Sequence, residues 1–275
     1  MATSSHPAVL AGGRRLSLDR LRHAIEVSGG LAWRSLILVR RMPSVFLPSL
    51  VMPLFILVAT SGAFRGIGLL PAFGGASYLA FTIPLALVMG AGFAGINAGM
   101  TLARDIEGGF VDRLIVSPAP RITLIAGPLV AAGLRSLFTT TVVLIAGLIG
   151  GVGLPGGVDT IALYLLAIAF SAASACWAMG VALRTRTIQA APLMQVVVFL
   201  AVFTSVAYAP RDVLTGWLAT VADLNPVTYL LEASRAAELT GLGWAELWPA
   251  LVALSALLIV LGTWALTGLA TLGRR

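Results

Sequence analysis

Long runs of apolar residues, separated by short polar segments, make up most of the chain beyond about residue 44. A helix needs about 20 apolar residues to cross about 30 Å of hydrocarbon, and these runs reach that length without the alternation of a half-buried strand. The predicted fold is therefore an all-α integral membrane protein. The charge-free windows predict six transmembrane helices, at about 44–64, 78–102, 134–153, 160–183, 189–209 and 249–271.

The segment before the first span has a different pattern. Residues 1–30 are polar and lack the apolar stretch of a cleaved signal peptide, which predicts a flexible cytoplasmic leader. Residues 31–41 put Trp33 on one helical face and Arg34 on another, which predicts an N-terminal amphipathic interfacial helix in the headgroup layer. The alternative is that this segment begins the first span. We assign 31–275 to one transmembrane domain.

Composition supports the membrane assignment and removes several functions. Hydrophobic residues make up 59% of the chain and charged residues 11%. All 18 basic residues are arginines, so no lysine is present for a P-loop or a Schiff base. The single cysteine and the two histidines of the leader exclude an intrachain disulfide and a buried histidine metal site. We expect no catalytic, cofactor-binding or metal site in this chain.

The arginines also predict the orientation. Six spans place 15 arginines on one side and only Arg65, Arg211 and Arg235 on the other. Because basic residues accumulate on the cytoplasmic side of membrane proteins, both termini are predicted to be cytoplasmic. The net charge of +7 is then a topology signal and gives no reason to expect a nucleic-acid partner.

Small residues recur at a spacing of four within or beside the predicted spans. This pattern lets membrane helices approach closely, and we interpret it as helix packing. The pairs are Gly62 and Gly66, Gly95 and Gly99, Gly147 and Gly151, and Ser171 and Ala175.

Few polar side chains lie inside the predicted spans. Asn97 and Gln195 could contact a transported substrate or form interhelical hydrogen bonds. Arg135 makes the start of the third span uncertain, and residues 122–134 are predicted to be a cytoplasmic or interfacial extension before it. None of the 11 acidic residues lies in a predicted span, whereas ion-coupled carriers typically keep one there. The energy for transport is therefore expected to come from another protein.

Two polar segments interrupt the apolar pattern. The first, 104–121 (RDIEGGFVDRLIVSPAPR), has balanced charge and helix breakers, which predicts a short helix that docks on another protein; the alternative is a solvated loop. The second, 211–246, holds a helix predicted to start at Asn225–Pro226 and to run to Thr240. Its polar residues cluster on one side, which predicts an amphipathic helix at the outer membrane face, or else a structured extracellular loop.

These two polar segments are similar to those of a known family of membrane transporters. The stretches DRLIVSPAPR and LNPVTYLLEASR, with the six-span order, resemble the type 2 ABC-transporter permeases (ABC-2 family), particularly the daunorubicin-resistance type of drug exporter subunit. The resemblance runs from about Leu31 onward. It implies a homodimer or heterodimer of permeases with separate ATPase subunits, which would hold ATP and Mg²⁺.

The resemblance also implies two functional regions. A cytoplasmic coupling helix between the second and third spans would seat on the ATPase, and a re-entrant region before the sixth span would cap the exit. The implied coupling residues are Arg104, Asp105, Glu107, Gly108, Gly109, Asp112, Arg113, Pro118, Arg121, Arg184 and Arg186. The implied re-entrant residues are Asn225, Pro226, Tyr229, Glu232 and Arg235.

The expected function is ATP-driven export of a hydrophobic or amphipathic substrate, such as a drug, a polyketide antibiotic or a lipid, by alternating access. The expected location is a bacterial cell membrane. One alternative is a permease for polysaccharide or glycolipid. An alternative of another class is an ATP-independent secondary carrier or channel.

Overall fold

A computed structural model describes most of the chain beyond the leader. The described residues are 26, 29–30, 33, 37, 43–64, 66, 77–115 and 121–271. The predicted flexible leader therefore lies almost wholly outside them. Of the predicted interfacial helix, the structure describes only Trp33 and Ile37, which are helical and exposed.

The described part of the chain is α-helical and contains no strand. Its helices are α1 (Pro43–Ala63), α2 (Tyr78–Glu107), α3 (Phe110–Ile115), α4 (Thr123–Ile149), α5 (Gly157–Thr185), α6 (Ala191–Phe203), α7 (Trp217–Leu224), α8 (Pro226–Leu239) and α9 (Trp244–Thr271). Short 3-10 turns lie at Ile188–Ala190 and Arg211–Val213.

Four of these helices, α2, α4, α5 and α9, are long and apolar enough to cross a membrane. The predicted all-helical fold is therefore confirmed, with four helices whose length and composition suit a membrane span. Helices α1 and α6 are also apolar but shorter, and α6 ends at Phe203, six residues before its predicted end. A crossing by all six remains a prediction.

The start of α4 differs from the expected span boundary. The helix begins at Thr123 and continues through Pro128 and Arg135 without a break. Arg135 is buried within it, at 4% exposure. Residues 123–134 and the predicted third span thus form one helix. The charge pattern suggested a boundary at Arg135, but packing against neighbouring helices covers this arginine.

Helix α2 lies at the centre of the bundle, in contact with α1, α4, α5, α6 and α8. Its closest approach is to α5, at two glycines. A Cβ atom on Gly95 would lie within 3.0 Å of the Ser171 carbonyl oxygen and the Ala175 nitrogen, and one on Gly99 would overlap Ala178. Two of the predicted small-residue pairs therefore face each other, whereas Gly62 and Gly66 have no neighbour within 4 Å at that position.

Hydrophobic clusters lie on both sides of this crossing. One contains Leu85 to Ala91 of α2 with residues of α5, α8 and α9, and another contains Ile96 to Ala103 with the opposite half of α5. The Ser171 hydroxyl also donates to the Ala132 carbonyl at 3.2 Å, which joins α5 to α4 at this level.

Substitution of Gly95 by Ala should destabilise the fold, because the added methyl group meets backbone atoms that cannot rotate away. Overpacking of this kind costs about 1–3 kcal/mol and should lower the thermal unfolding midpoint in detergent. The matched control is Gly62→Ala, which meets nothing and gains helix propensity worth about 1 kcal/mol at most. Equal midpoints for the two variants would contradict the assigned crossing.

Candidate functional site

The first polar segment folds as the end of α2, a glycine turn and the short helix α3. Gly108 caps α2, and Gly109 has a φ of +69°, a left-handed conformation that favours glycine. The turn lets α3 bury Val111 against the bundle while Asp112 and Arg113 stay exposed. These two charged side chains are thus presented at the predicted cytoplasmic end.

Glu107 joins this segment to the loop after α5. Its Oε1 atom accepts hydrogen bonds from the Thr187 hydroxyl at 2.6 Å and the Ile188 backbone N–H at 2.9 Å. The pKa of the Glu107 carboxyl is below its ordinary value, mainly because of the hydrogen bond from Thr187 and secondly because of the bond from the Ile188 N–H. The structure therefore brings together two of the predicted cytoplasmic regions.

The two arginines predicted in that loop lie against α9. Arg184 donates to the carbonyl oxygens of Gly180 and Trp264 at 2.8 and 2.9 Å, and its guanidinium lies 3.5 Å from the centre of the Trp264 ring. Arg186 ends α5 with a φ of 56° and donates to the Thr271 carbonyl at 3.3 Å. Both side chains hold α5 to α9, and a contact with another protein stays a prediction for them.

The remaining predicted coupling residues surround α3. Arg104 and Asp105 are half-buried in the last turn of α2, and Arg121 is exposed in the turn before α4. Pro118 lies outside the described residues.

At the opposite end, Asn225 organises the start of α8. Its side-chain oxygen accepts from the Val227 N–H at 2.9 Å, and its amide nitrogen donates to the Ala201 carbonyl and to Thr204. Pro226 follows in the first turn, where a missing N–H costs no helical hydrogen bond. The predicted helix start is confirmed, and the cap also ties α8 to the end of α6.

Arg235 differs from its expected place on a polar helix face. It is 8% exposed, and its guanidinium lies 3.8 Å from the centre of the Phe81 ring. It donates to the Ala207 carbonyl at 2.9 Å. The side of α8 that carries Arg235 is therefore covered by α2 and the chain after α6, where the guanidinium contacts a ring and a carbonyl.

A charged cluster that sequence reasoning did not identify lies beside α8. Arg211 bonds both oxygens of Glu232, at 2.9 and 3.1 Å, and lies 3.1 Å from Asp223. The Tyr229 hydroxyl donates to the Asp223 carbonyl at 2.7 Å. Glu232 and Tyr229 were predicted here, but Arg211 is 21 positions from Glu232, and no local pattern connects residues so far apart.

Glu238, near the end of α8, was also missed as a candidate. Its Oε2 atom is buried and makes no hydrogen bond among the described residues. Burial raises the pKa of its carboxyl to about 7. This side chain therefore stays protonated to a higher pH than an exposed glutamate does.

Two of the predicted polar residues lie on α2 and α6, the helices that also meet at an aromatic contact. Phe93 and Phe199 meet edge to face at 5.3 Å between ring centres. Asn97 and Gln195 each lie four positions, about 6 Å of helix rise, from Phe93 and Phe199 toward the predicted cytoplasmic end, and both are half-buried. Arg135 is buried within α4.

Comparison with known families identifies the kind of protein. Residues 29–239 match the family model described as ABC-2 type transporter. The chain belongs to this family. The match ends at the last residue of α8, so in this ABC-2 permease it includes the glycine turn with α3 and the helices α7 and α8.

Three relatives are similar along most of their length. The daunorubicin resistance ABC transporter permease protein DrrB1 of Streptomyces coeruleorubidus is 26% identical, over 79% of this chain and 77% of its own. The ycf38 proteins of Cyanophora paradoxa and Porphyra purpurea, each described as a transport permease, are both 27% identical, over 74% and 77% of this chain and 71% and 73% of their own. The resemblance to ABC-2 permeases of the daunorubicin-resistance type is confirmed. Members of this family are membrane transport subunits, generally without catalysis of their own, and they normally work with ABC ATPase subunits.

Substitution of Glu107 by Ala should loosen the loop after α5, because the Ile188 amide loses its acceptor. We expect several-fold faster hydrogen exchange in the peptide that contains Ile188, and a smaller effect for Glu107→Gln, whose amide oxygen still accepts. Asp112→Ala, which removes an exposed carboxylate from α3, is the control and should leave this exchange unchanged. Unaltered exchange in Glu107→Ala would disprove the connection.

Glu238 should make stability depend on pH. Because its folded pKa of about 7 lies above the ordinary value of 4.5, its contribution is fully present below about pH 4.5 and is lost as the pH rises through 7. The unfolding midpoint should therefore fall between pH 5 and pH 8, by an amount equivalent to at most about 3 kcal/mol. Glu238→Gln should remove this component, whereas Glu246→Gln, at an exposed site, should retain it.

Proposed function

We propose that this ABC-2 permease is the membrane-spanning subunit of an ATP-driven exporter and moves a hydrophobic or amphipathic substrate by alternating access. The observation that supports this most strongly is the cytoplasmic-end arrangement of α3. It exposes Asp112 and Arg113, while Glu107 fixes the same segment to the loop before α6. An exposed charged helix that is fixed to a neighbouring loop is suited to contact another protein and to transmit that protein's motion to the bundle.

In the proposed mechanism, α2 carries the motion across the bilayer. Its 30 residues span about 45 Å and run without a break from Tyr78 to Glu107. The helix is continuous with the glycine turn at one end, and at the other its Tyr78 hydroxyl donates to the Tyr208 carbonyl at 3.1 Å. A displacement of α3 would reach both the loop before α6 and the external helices, as in a rigid-body switch between two access states.

The proposed complex contains six spans per permease, two permeases and two ATPase subunits. Helices α1 and α6 would complete the six spans, with α6 extended by the 3-10 turn Ile188–Ala190. ATP and Mg²⁺ would be bound by the ATPase subunits, in line with a chain that has no lysine. Both termini would lie in the cytoplasm of a bacterial cell.

The proposed substrate class follows from the interior and from a relative. The predicted spans hold no acidic residue, and α2 and α6 meet through the aromatic rings of Phe93 and Phe199. The printed name of the Streptomyces coeruleorubidus relative refers to daunorubicin resistance. A drug-sized amphipathic molecule or a lipid is the class that such surroundings favour.

Co-purification from native membranes tests the coupling assignment. The double variant Glu107→Ala with Arg113→Ala should remain folded in the membrane but retain roughly fivefold less ATPase. It loses the hydrogen bonds that fix α3 to the loop before α6, and it loses an exposed cation of the proposed contact. Export of an amphipathic dye should fall in parallel. Asp212→Ala, an exposed acid at the opposite end, is the control.

Normal ATPase recovery and dye export in the double variant would disprove the assigned coupling surface. A wild-type protein that purifies intact without any P-loop ATPase would instead favour an ATP-independent carrier or channel.

A further inference from the structure

Helix α8 begins deep in the bundle, far from the outer end of α2. The Asn225 side chain caps α8 and donates to the Ala201 carbonyl of α6 at 2.6 Å. Ala201 lies two positions, about 3 Å of helix rise, to the outer side of Phe199, whose ring meets that of Phe93 on α2. Phe93 is 15 positions, about 22 Å, from Tyr78 at the start of α2. The cap therefore lies roughly 19 Å inward of Tyr78, near the middle of a hydrocarbon layer of about 30 Å.

The later part of α8 agrees with this placement. The helix has 14 residues, which give it a length of about 21 Å. Arg235, in its third turn, lies against Phe81, one turn from the start of α2. The turn that follows α8 is bound to the first turn of α5, where Asp159 accepts from the Leu242 N–H at 3.0 Å. Helix α8 thus rises from the interior to the outer surface, and its first residue is its deepest.

Three charged side chains meet beside the lower half of α8. Arg211 donates to both oxygens of Glu232 and lies 3.1 Å from Asp223. Asp223 is two positions before Asn225, so its Cα atom lies within about 7 Å of that of the cap residue. The Asp223 side chain is nevertheless 55% exposed, and those of Arg211 and Glu232 are about one-third exposed. The cluster is therefore open to its surroundings at the depth of the hydrocarbon layer.

Exposed charges at this depth require water. A charged side chain is costly in hydrocarbon, and ionisable residues within the membrane face the protein interior or a water-filled cavity. Ion pairing does not remove the requirement here, because the carboxylates of Asp223 and Glu232 share the single guanidinium of Arg211. The cluster keeps a formal negative charge, and more than half of the Asp223 side chain lies outside the contact.

The residue after Asp223 has the opposite character. Leu224 is 82% exposed, and it shares one face of α7 with Trp217 and Val221, which are exposed as well. Successive residues of an α-helix are turned by about 100°, so Asp223 lies on a different face from Leu224. Helix α7 therefore separates an apolar surface, which suits lipid, from a charged surface, which suits water.

We propose that Arg211, Asp223 and Glu232 line a water-filled recess that opens to the outer side and reaches about the middle of the bilayer. The recess is the outer part of the transport path, where the polar part of an amphipathic substrate stays hydrated. This second statement rests on the export function proposed above. The access of water to the cluster depends only on the membrane embedding of α2 and α6.

Thiol labelling in right-side-out membrane vesicles tests the access of water. In a Cys176→Ala background, which removes the one native cysteine, two neighbouring positions are compared as Asp223→Cys and Leu224→Cys. A sulfonate-bearing thiosulfonate reagent added outside should label Asp223→Cys at least roughly tenfold faster, because a charged reagent is excluded from hydrocarbon. An apolar maleimide should label Leu224→Cys as fast as Asp223→Cys or faster. Equal labelling of the two positions by the charged reagent would overturn the recess.

The wild-type protein gives a second measurement that does not depend on the folding of a variant. A water-soluble carbodiimide with an added amine should modify the Asp223 carboxylate in the membrane, as read by mass spectrometry of peptides. The apolar dicyclohexylcarbodiimide should modify it little. Modification by the apolar reagent alone would place Asp223 in lipid, and protection from both reagents would show that a second copy of the chain covers it. Either result would overturn the recess.

The same adduct tests the connection with transport. Labelling of Asp223→Cys by the sulfonate reagent adds bulk to the recess and should reduce export of an amphipathic dye severalfold, relative to the same vesicles before treatment. The Cys176→Ala protein, treated in the same way, is the control. Unchanged export after complete labelling would remove the recess from the transport path. A wild-type protein without an ATPase partner would instead contradict the proposed function, and the labelling result would stand.

Discussion

Helices α2 and α5 touch backbone to backbone at Gly95 and Gly99, and the other contacts of the bundle are arranged around that crossing. Because α2 is the central helix, its distance from α5 fixes where α4, α6 and α8 can pack. Without water to drive apolar surfaces together, membrane helices depend on such close packing. The small residues therefore set the geometry within which the charged ends must form their hydrogen bonds, including the one between Glu107 and Ile188.

Local patterns in the sequence predicted the features that depend on local physics. The charge-free runs located the long apolar helices, the Gly95 and Gly99 pair marked a close crossing, and Asn225 with Pro226 marked the start of α8. The same spacing at Gly62 and Gly66 marks no contact, since four-residue spacing describes one helix and not its neighbour. Long-range pairs were beyond prediction: Glu107 meets a residue 80 positions away. The start of α4 was missed because a buried arginine looks like a boundary when only charge is counted.

Arginines act as connectors at both ends of the bundle. Arg184 and Arg235 each place the guanidinium over an aromatic ring while donating to backbone carbonyls of other helices or turns. A planar group with five donors can do both at once, whereas a lysine ammonium offers a point charge without the flat surface. The chain contains no lysine, and its arginines make both kinds of contact. Because these contacts satisfy the guanidinium inside the protein, an arginine that was used to predict the membrane orientation can still be buried.

Helix α8 connects three other parts of the bundle. Helix α8 is held to α2 through Arg235 and to the end of α6 through Asn225, while Tyr229 on the same helix lies beside α9. A change in access that shifts α8 must therefore change the distance between Tyr229 and α9. By linkage, any contact that favours one distance between these two helices stabilises the matching access state. Coupling of this kind needs no contact with the transported substrate, because it acts through the position of one short helix.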